Sequence, residues 1–187
     1  MAGVMGSLKL EPAQSRPDLL AAPVSKALAV WPEDAPVDAD QVLVAPIDPE
    51  LADTAAFCEA YDVGLDVSAN CVIVAGRRGE VTRYAACIVL ATTRADVNGV
   101  VRRYLDARKA SFAPMDDAVR LTGMEYGGIT PIGLPAGWPI LVDARVAATP
   151  HVIVGSGVRH SKIAIAGPAL GALPGAEVIA DLARPID

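Results

Sequence analysis

Two apolar runs rich in β-branched residues, Cys71 to Ala75 and Thr82 to Thr92, flank the short segment Gly76-Arg77-Arg78-Gly79-Glu80. Glycines at that spacing permit a reversed backbone, so the pair predicts a hairpin of two central strands. A chain built around such a hairpin must cover both of its faces. The 187 residues, 52% of them hydrophobic, suffice for one domain with a sizeable core. Aromatics are only 4%, so that core must consist of Ala, Val, Leu and Ile. Gly and Pro are abundant, at 16 and 15 residues, which predicts many turns and short elements.

The flanking segments predict further elements. Residues 1–25 contain Pro12, Pro17 and Pro23 with no sustained period, and are expected to form a loose arm ahead of a domain over 26–187. Gln41 to Ala45 is β-rich. Asp48-Pro49-Glu50 supplies a cap, a first-turn proline and an acid, predicting a helix to about Asp62. Asp96 can cap a second helix with Val97, Val100, Val101 and Leu105 inward and Arg102, Arg103 and Asp106 outward. A third helix is expected over Met115 to Thr122, stopped by Gly123. Ile140 to Asp143, His151 to Val154 and Lys162 to Ala166 read as short strands. Strands, then helices, then strands again indicate an α+β domain with a mixed sheet.

Charge and cysteine usage exclude several classes. The longest apolar run, Tyr84 to Ala91, is far short of the roughly 20 residues a membrane-spanning helix needs. No secretory pattern marks Met1 to Pro12, and a cytoplasmic location is expected. Cys58, Cys71 and Cys87 lack C-x-x-C spacing and read as buried thiols; with only His151 and His160 besides, no metal site is expected. The net charge of -6 conceals an asymmetry. Residues 1–66 carry 3 basic and 12 acidic side chains, whereas 67–187 carry 13 and 10. Arg102, Arg103, Arg108 and Lys109 lie in this basic half, either as a solvated helix face or as a nucleic-acid footprint.

Two loops are candidates for chemistry. Leu121 to Pro135 packs Gly123, Gly127, Gly128 and Gly133 with Pro131 and Pro135, which fits either a purely topological turn or a backbone cradle for a carbonyl or oxyanion. If the cradle is the reason for the glycines, Gly128→Ala should harm activity more than stability. Val154 to Lys162 contains Gly155, Ser156 and Gly157, but His160 stands where a dinucleotide loop needs its third glycine. A G-x-S-x-G nucleophile elbow is also absent.

The order Asn70-Cys71-Val72-Ile73-Val74, then Thr122-Gly123-x-x-x-Gly127-Gly128-Ile129-Thr130-Pro131-x-Gly133, then Pro139-x-x-x-Asp143, then Gly155-Ser156-Gly157-x-Arg159 resembles the YbaK/EbsC-type, prolyl-tRNA synthetase-associated editing domain. The resemblance covers about residues 50–184. It implies a compact domain with a mostly antiparallel curved sheet and flanking helices, acting without metal or organic cofactor as a free-standing aminoacyl-tRNA deacylase on small mischarged residues. By the same resemblance Gly127, Gly128, Ile129, Thr130 and Pro131 would position the ester. Met124, Tyr126, Gly133, Asp143, Gly155, Ser156, Gly157 and Arg159 would line the substrate pocket, and Arg102, Arg103, Arg108 and Lys109 would meet the tRNA. Asn70 stands where the family usually has a lysine, and Lys162 would supply the cation instead. The alternatives are a non-catalytic homologue binding tRNA or an aminoacyl nucleotide, and a tRNA-independent small-molecule hydrolase.

Overall fold

The computed structural model describes residues 5–186. In chain order the elements are β1 (Glu11–Pro12), α1 (Ala22–Ala29), β2 (Leu43–Pro46), α2 (Thr54–Tyr61), β3 (Ala69–Arg78), β4 (Val81–Leu90) and β5 (Thr93–Ala95). A π-helical turn over Val97–Val101 runs into α3 (Arg102–Tyr104), followed by β6 (Lys109–Phe112) and α4 (Met115–Thr122). The remainder is β7 (Ile140–Asp143), α5 (Ala144–Ala148), β8 (Val152–Gly155), β9 (Ser161–Ile165), α6 (Gly167–Gly171), β10 (Ala176–Ile179) and β11 (Ala183–Pro185).

The expected hairpin is the spine of the fold. β3 and β4 pair antiparallel from Ala69↔Leu90 to Arg78↔Val81, and Gly79, at φ 60°, makes the reversal. Gly76 does not turn; it lies inside β3, where a Cβ would meet Leu105 and Ala107 at 2.9 Å. The five-stranded sheet has the order β10-β7-β4-β3-β6, and a four-stranded sheet has the order β1-β2-β9-β8. Strand pairings are antiparallel except those of β7, which runs parallel to β4 and β10. A parallel bridge between Ser68 and Ile153 joins the two sheets at the start of β3 in this mixed α+β domain.

The apolar run in β4 is continuous because both faces are buried. Ala86, Ile88 and Leu90 enter the main core between the sheets with Val44, Val154 and Ile163, while Ala85, Cys87 and Val89 pack with Val101, Leu105 and Leu182. A third cluster places Phe57 and Cys58 of α2 against Ile153 and Ala164.

The loose arm expected for 1–25 is corrected over its described part, and no domain boundary falls at residue 26. β1 pairs with β2, and Ala13, Leu19, Leu20, Ala21 and Val24 are buried in the main core. Pro17 and Pro23 sit in first helical turns, where a missing N–H costs nothing, so they start helices and do not mark disorder. Residues 1–4 of that arm lie outside the described residues. Leu19, inside the described part of the arm, is 5% exposed. Leu19→Ala is therefore expected to cost about 2–5 kcal/mol, read by urea denaturation, whereas a detached arm would leave the midpoint unchanged.

Local signals set most boundaries. Asp48 does cap a helix, accepting from the Glu50 N–H at 2.9 Å, but that helix is a single 3-10 turn over Pro49–Leu51, and α2 starts afresh at Thr54. Asp96 accepts from Gly99 and Val100, as its position implied. α4 ends at Gly123, whose φ of 68° is the left-handed stop that its sequence predicted.

Candidate functional site

β9 alternates faces, so Lys162 shares the side of Ala164 and lies under α2. Its register partner is Gly155 at the end of β8. Lys162 is only 8% exposed. Its Nζ donates to the Ala52 carbonyl at 3.0 Å and sits 5.2 Å from the centroid of the Phe57 ring. Burial, the largest influence, pushes this ammonium below the ordinary lysine range; Cys58 opposes it, Arg159 adds to it more weakly, and Asp53 opposes it least.

Lys162 forms one wall of an open cavity of about 420 Å³. Asp53 and Thr54 from the start of α2, Asn70 to Ile73 of β3, Phe112 of β6, and Tyr126, Gly127 and Ile129 of the glycine loop complete its sides. Thr54 Oγ1 donates to Asn70 Oδ1 at 2.7 Å, which fixes the amide and leaves its nitrogen as a donor. Gly127 and Ile129 line the cavity, and among the described residues their N–H groups donate to no protein acceptor. Arg159 anchors the rim from Asp53 at 3.7 Å, the Tyr126 carbonyl at 3.3 Å and the Pro49 carbonyl at 3.1 Å.

The cavity offers donors but no evident nucleophile. Cys71 lines it, yet burial pushes its thiol well above the ordinary range, so it stays protonated near neutral pH. Neither His151 nor His160 is among the lining residues, and the described residues contain no group of three or more His, Cys, Asp or Glu suited to a metal. Such a wall suits attack by water on a bound carbonyl, with charge developing against fixed donors.

The structure divides the sequence candidates. Asn70, Tyr126, Gly127, Ile129, Gly155 and Lys162 meet around the cavity. Met124 does not: it is 2% exposed within the main core. Asp143 is a buried cap, accepting from the Arg145 and Ala183 N–H groups, each at 2.9 Å. Ser156 is fully buried with its hydroxyl 2.6 Å from that of Ser161. Pro131 and Gly133 line a different cavity beside Trp31 and Trp138. Thr130 is buried, and its Oγ1 has no hydrogen-bond partner among the described residues.

Close packing within the fold accounts for Gly128, Gly155 and Gly157. A Cβ on Gly128 would lie 2.6 Å from the Val158 carbonyl oxygen, and one on Gly155 would lie within 2.5 Å of the Gly128 oxygen. Gly157, at φ 88°, donates to the Gly128 carbonyl at 2.7 Å. The two loops therefore pack backbone against backbone. Gly128 serves that contact, and only Gly127 and Ile129 of its neighbours face the cavity.

Among the basic candidates, Arg102, Arg108 and Lys109 line an open groove beside the cavity, together with Arg77. Arg103 is not among its lining residues. Thr54, Asp53 and Phe112 went unrecognised in the sequence; the Asp-Thr pair opening a helix was the one available signal.

Fold and cavity together define a small mixed α+β domain with an open pocket lined by residues of both sheets. Over residues 48–173 the chain matches the aminoacyl-tRNA editing domain family, and it belongs to that family. Solved structures agree on the fold. One, described as a putative trans-editing enzyme for prolyl tRNA synthetase, aligns with a TM-score of 0.70 at 19% identity, covering 86% of this chain and 94% of its own. A scaffold from computational epitope grafting aligns equally well, at 0.70 and 20% identity, covering 86% and 95%. A hypothetical protein aligns at 0.66 and 20% identity, covering 75% and 90%. A comparison with curated protein sequences finds no match.

Proposed function

We propose that this chain is a trans-editing deacylase that hydrolyses the ester between a small amino acid and the 3′ end of a mischarged tRNA. The observation that carries the reading is one cavity lined by Lys162, Asn70 and the glycine-loop residues Gly127 and Ile129, whose ammonium, amide and N–H groups are the donors the reaction would use. Membership of the editing family supports ester hydrolysis as the reaction class. The carbonyl oxygen binds against these donors, which stabilise the negative charge that forms as water attacks; the tetrahedral intermediate then expels the ribose oxygen. Ala69, Ile73, Ala113, Ala118 and Ile129 offer short aliphatic contacts to the amino-acid side chain, which supports a small substrate. Translation editing also accords with a cytoplasmic location, and no helix among the described residues is long and apolar enough to cross a membrane.

Purified protein incubated with a panel of mischarged tRNAs should release short aliphatic residues faster than spontaneous hydrolysis does. Faster release of bulky aromatic residues would overturn the small-substrate reading, and a panel at the spontaneous rate throughout would sink the enzyme. Asn70 in place of a family lysine favours one second reading, binding without turnover. Tight binding of the same tRNAs with no hydrolysis would establish it.

A further inference from the structure

β6 is an edge strand of the five-stranded sheet, and its register with β3 sets Lys109 directly opposite Arg77. Like charges facing each other across a ladder repel. Arg102 and Arg108 line the same groove, an opening of about 590 Å³ with no carboxylate among its lining residues. Most arginines elsewhere are neutralised: Arg16 by Glu11 and Asp18, Arg78 by Asp106, Arg145 by Asp143, Arg184 by Asp96. Among the described residues none of the four groove cations has such a partner within 4.0 Å. Phe112, at the end of β6, belongs to both the groove and the cavity, and the residue is 58% exposed.

We infer that this groove is the track for the single-stranded 3′ end of the RNA, with Phe112 as the stacking platform where the strand turns into the cavity. The inference rests on the cavity holding the ester at that 3′ end. Four unneutralised cations suit successive phosphates, and an exposed ring at the junction suits the flat face of any base, which requires no sequence preference. Phe112 is thus a positioning residue. It orders the last nucleotides and touches no reacting atom.

The test uses a fluorescent RNA hairpin carrying a four-nucleotide single-stranded 3′ extension, beside the same hairpin with a blunt end. The extension should tighten binding about tenfold; Phe112→Ala should erase that gain and Phe112→Trp should keep it. Arg102→Glu with Lys109→Glu should lower the salt dependence of binding by a slope of about 1.5, which Phe112→Ala should leave intact. Equal affinity for blunt and extended hairpins, or no change in Phe112→Ala, would overturn the inference. With the mischarged-tRNA panel as a second readout, the two failures are distinct: hydrolysis that ignores Phe112 removes the track alone, and extension-dependent binding without hydrolysis removes the deacylase alone.

Discussion

Lys162→Met should lose most deacylation, about ten- to a hundredfold, while the melting temperature holds or rises. A charge-assisted contact made to the developing oxyanion is worth about 1.5–3 kcal/mol, which sets the size of the loss. Stability moves the other way because the ammonium is buried with one carbonyl and one ring as partners, and among the described residues no carboxylate lies within 4.0 Å. A cation held this way is desolvated without full compensation, and an unbranched apolar side chain of similar length removes the cost. The pH dependence follows from the lowered pKa in the folded state. The unfolded chain binds this proton more tightly, so the penalty is complete below the folded pKa and disappears as pH rises toward the ordinary lysine value. The stability advantage of Lys162→Met should accordingly shrink in alkaline solution, as urea midpoints at pH 7 and above would show. Introducing Asn70→Lys into this variant should restore part of the rate, since it returns a cation to the same cavity from β3. A rate within twofold of the parent would remove Lys162 from the reaction.

Gly128→Ala should destabilise the fold by about 1–3 kcal/mol and carry activity down with it. The new Cβ would meet the Val158 oxygen, carbon and nitrogen at 2.6, 2.7 and 2.9 Å, and all three are backbone atoms that cannot rotate away. Separating the loops would also move Gly127 and Ile129 in the cavity wall. Gly137 is the control: its φ is 83°, yet a Cβ there meets nothing within 4 Å, so Gly137→Ala registers backbone strain alone. Thermal melts of the two variants beside their turnover numbers measure the difference. A Gly128→Ala protein of parental stability with lost turnover would reinstate close ligand approach as the reason for this glycine.

What the sequence determined was local. The β3–β4 hairpin, α4 with its Gly123 stop, and β7 from Ile140 to Asp143 were legible because continuous apolar runs, caps and left-handed glycines act within a few residues. Loop adjacency misled where it stood in for spatial adjacency. Met124, Ser156 and Asp143 neighbour motif residues along the chain, yet their side chains turn into the core or cap backbone. The prolines of residues 5–25 read as breaks, because burial of Leu19 and Val24 depends on strands that come much later.

Tertiary structure alone decided the cavity. Lys162 reaches the carbonyl of Ala52, 110 positions away, and Thr54 meets Asn70 across 16. No periodicity records such a pairing, since it depends on how the two sheets join at Ser68 and Ile153. The same holds for the cations: their clustering in the sequence was visible, but Arg77 joins Lys109 at the groove because of the register that lays β6 along β3. Composition and short-range pattern specify strands and their faces; which faces enclose a site is settled by long-range packing, whose free energy is shared over the whole core and is encoded in no single segment.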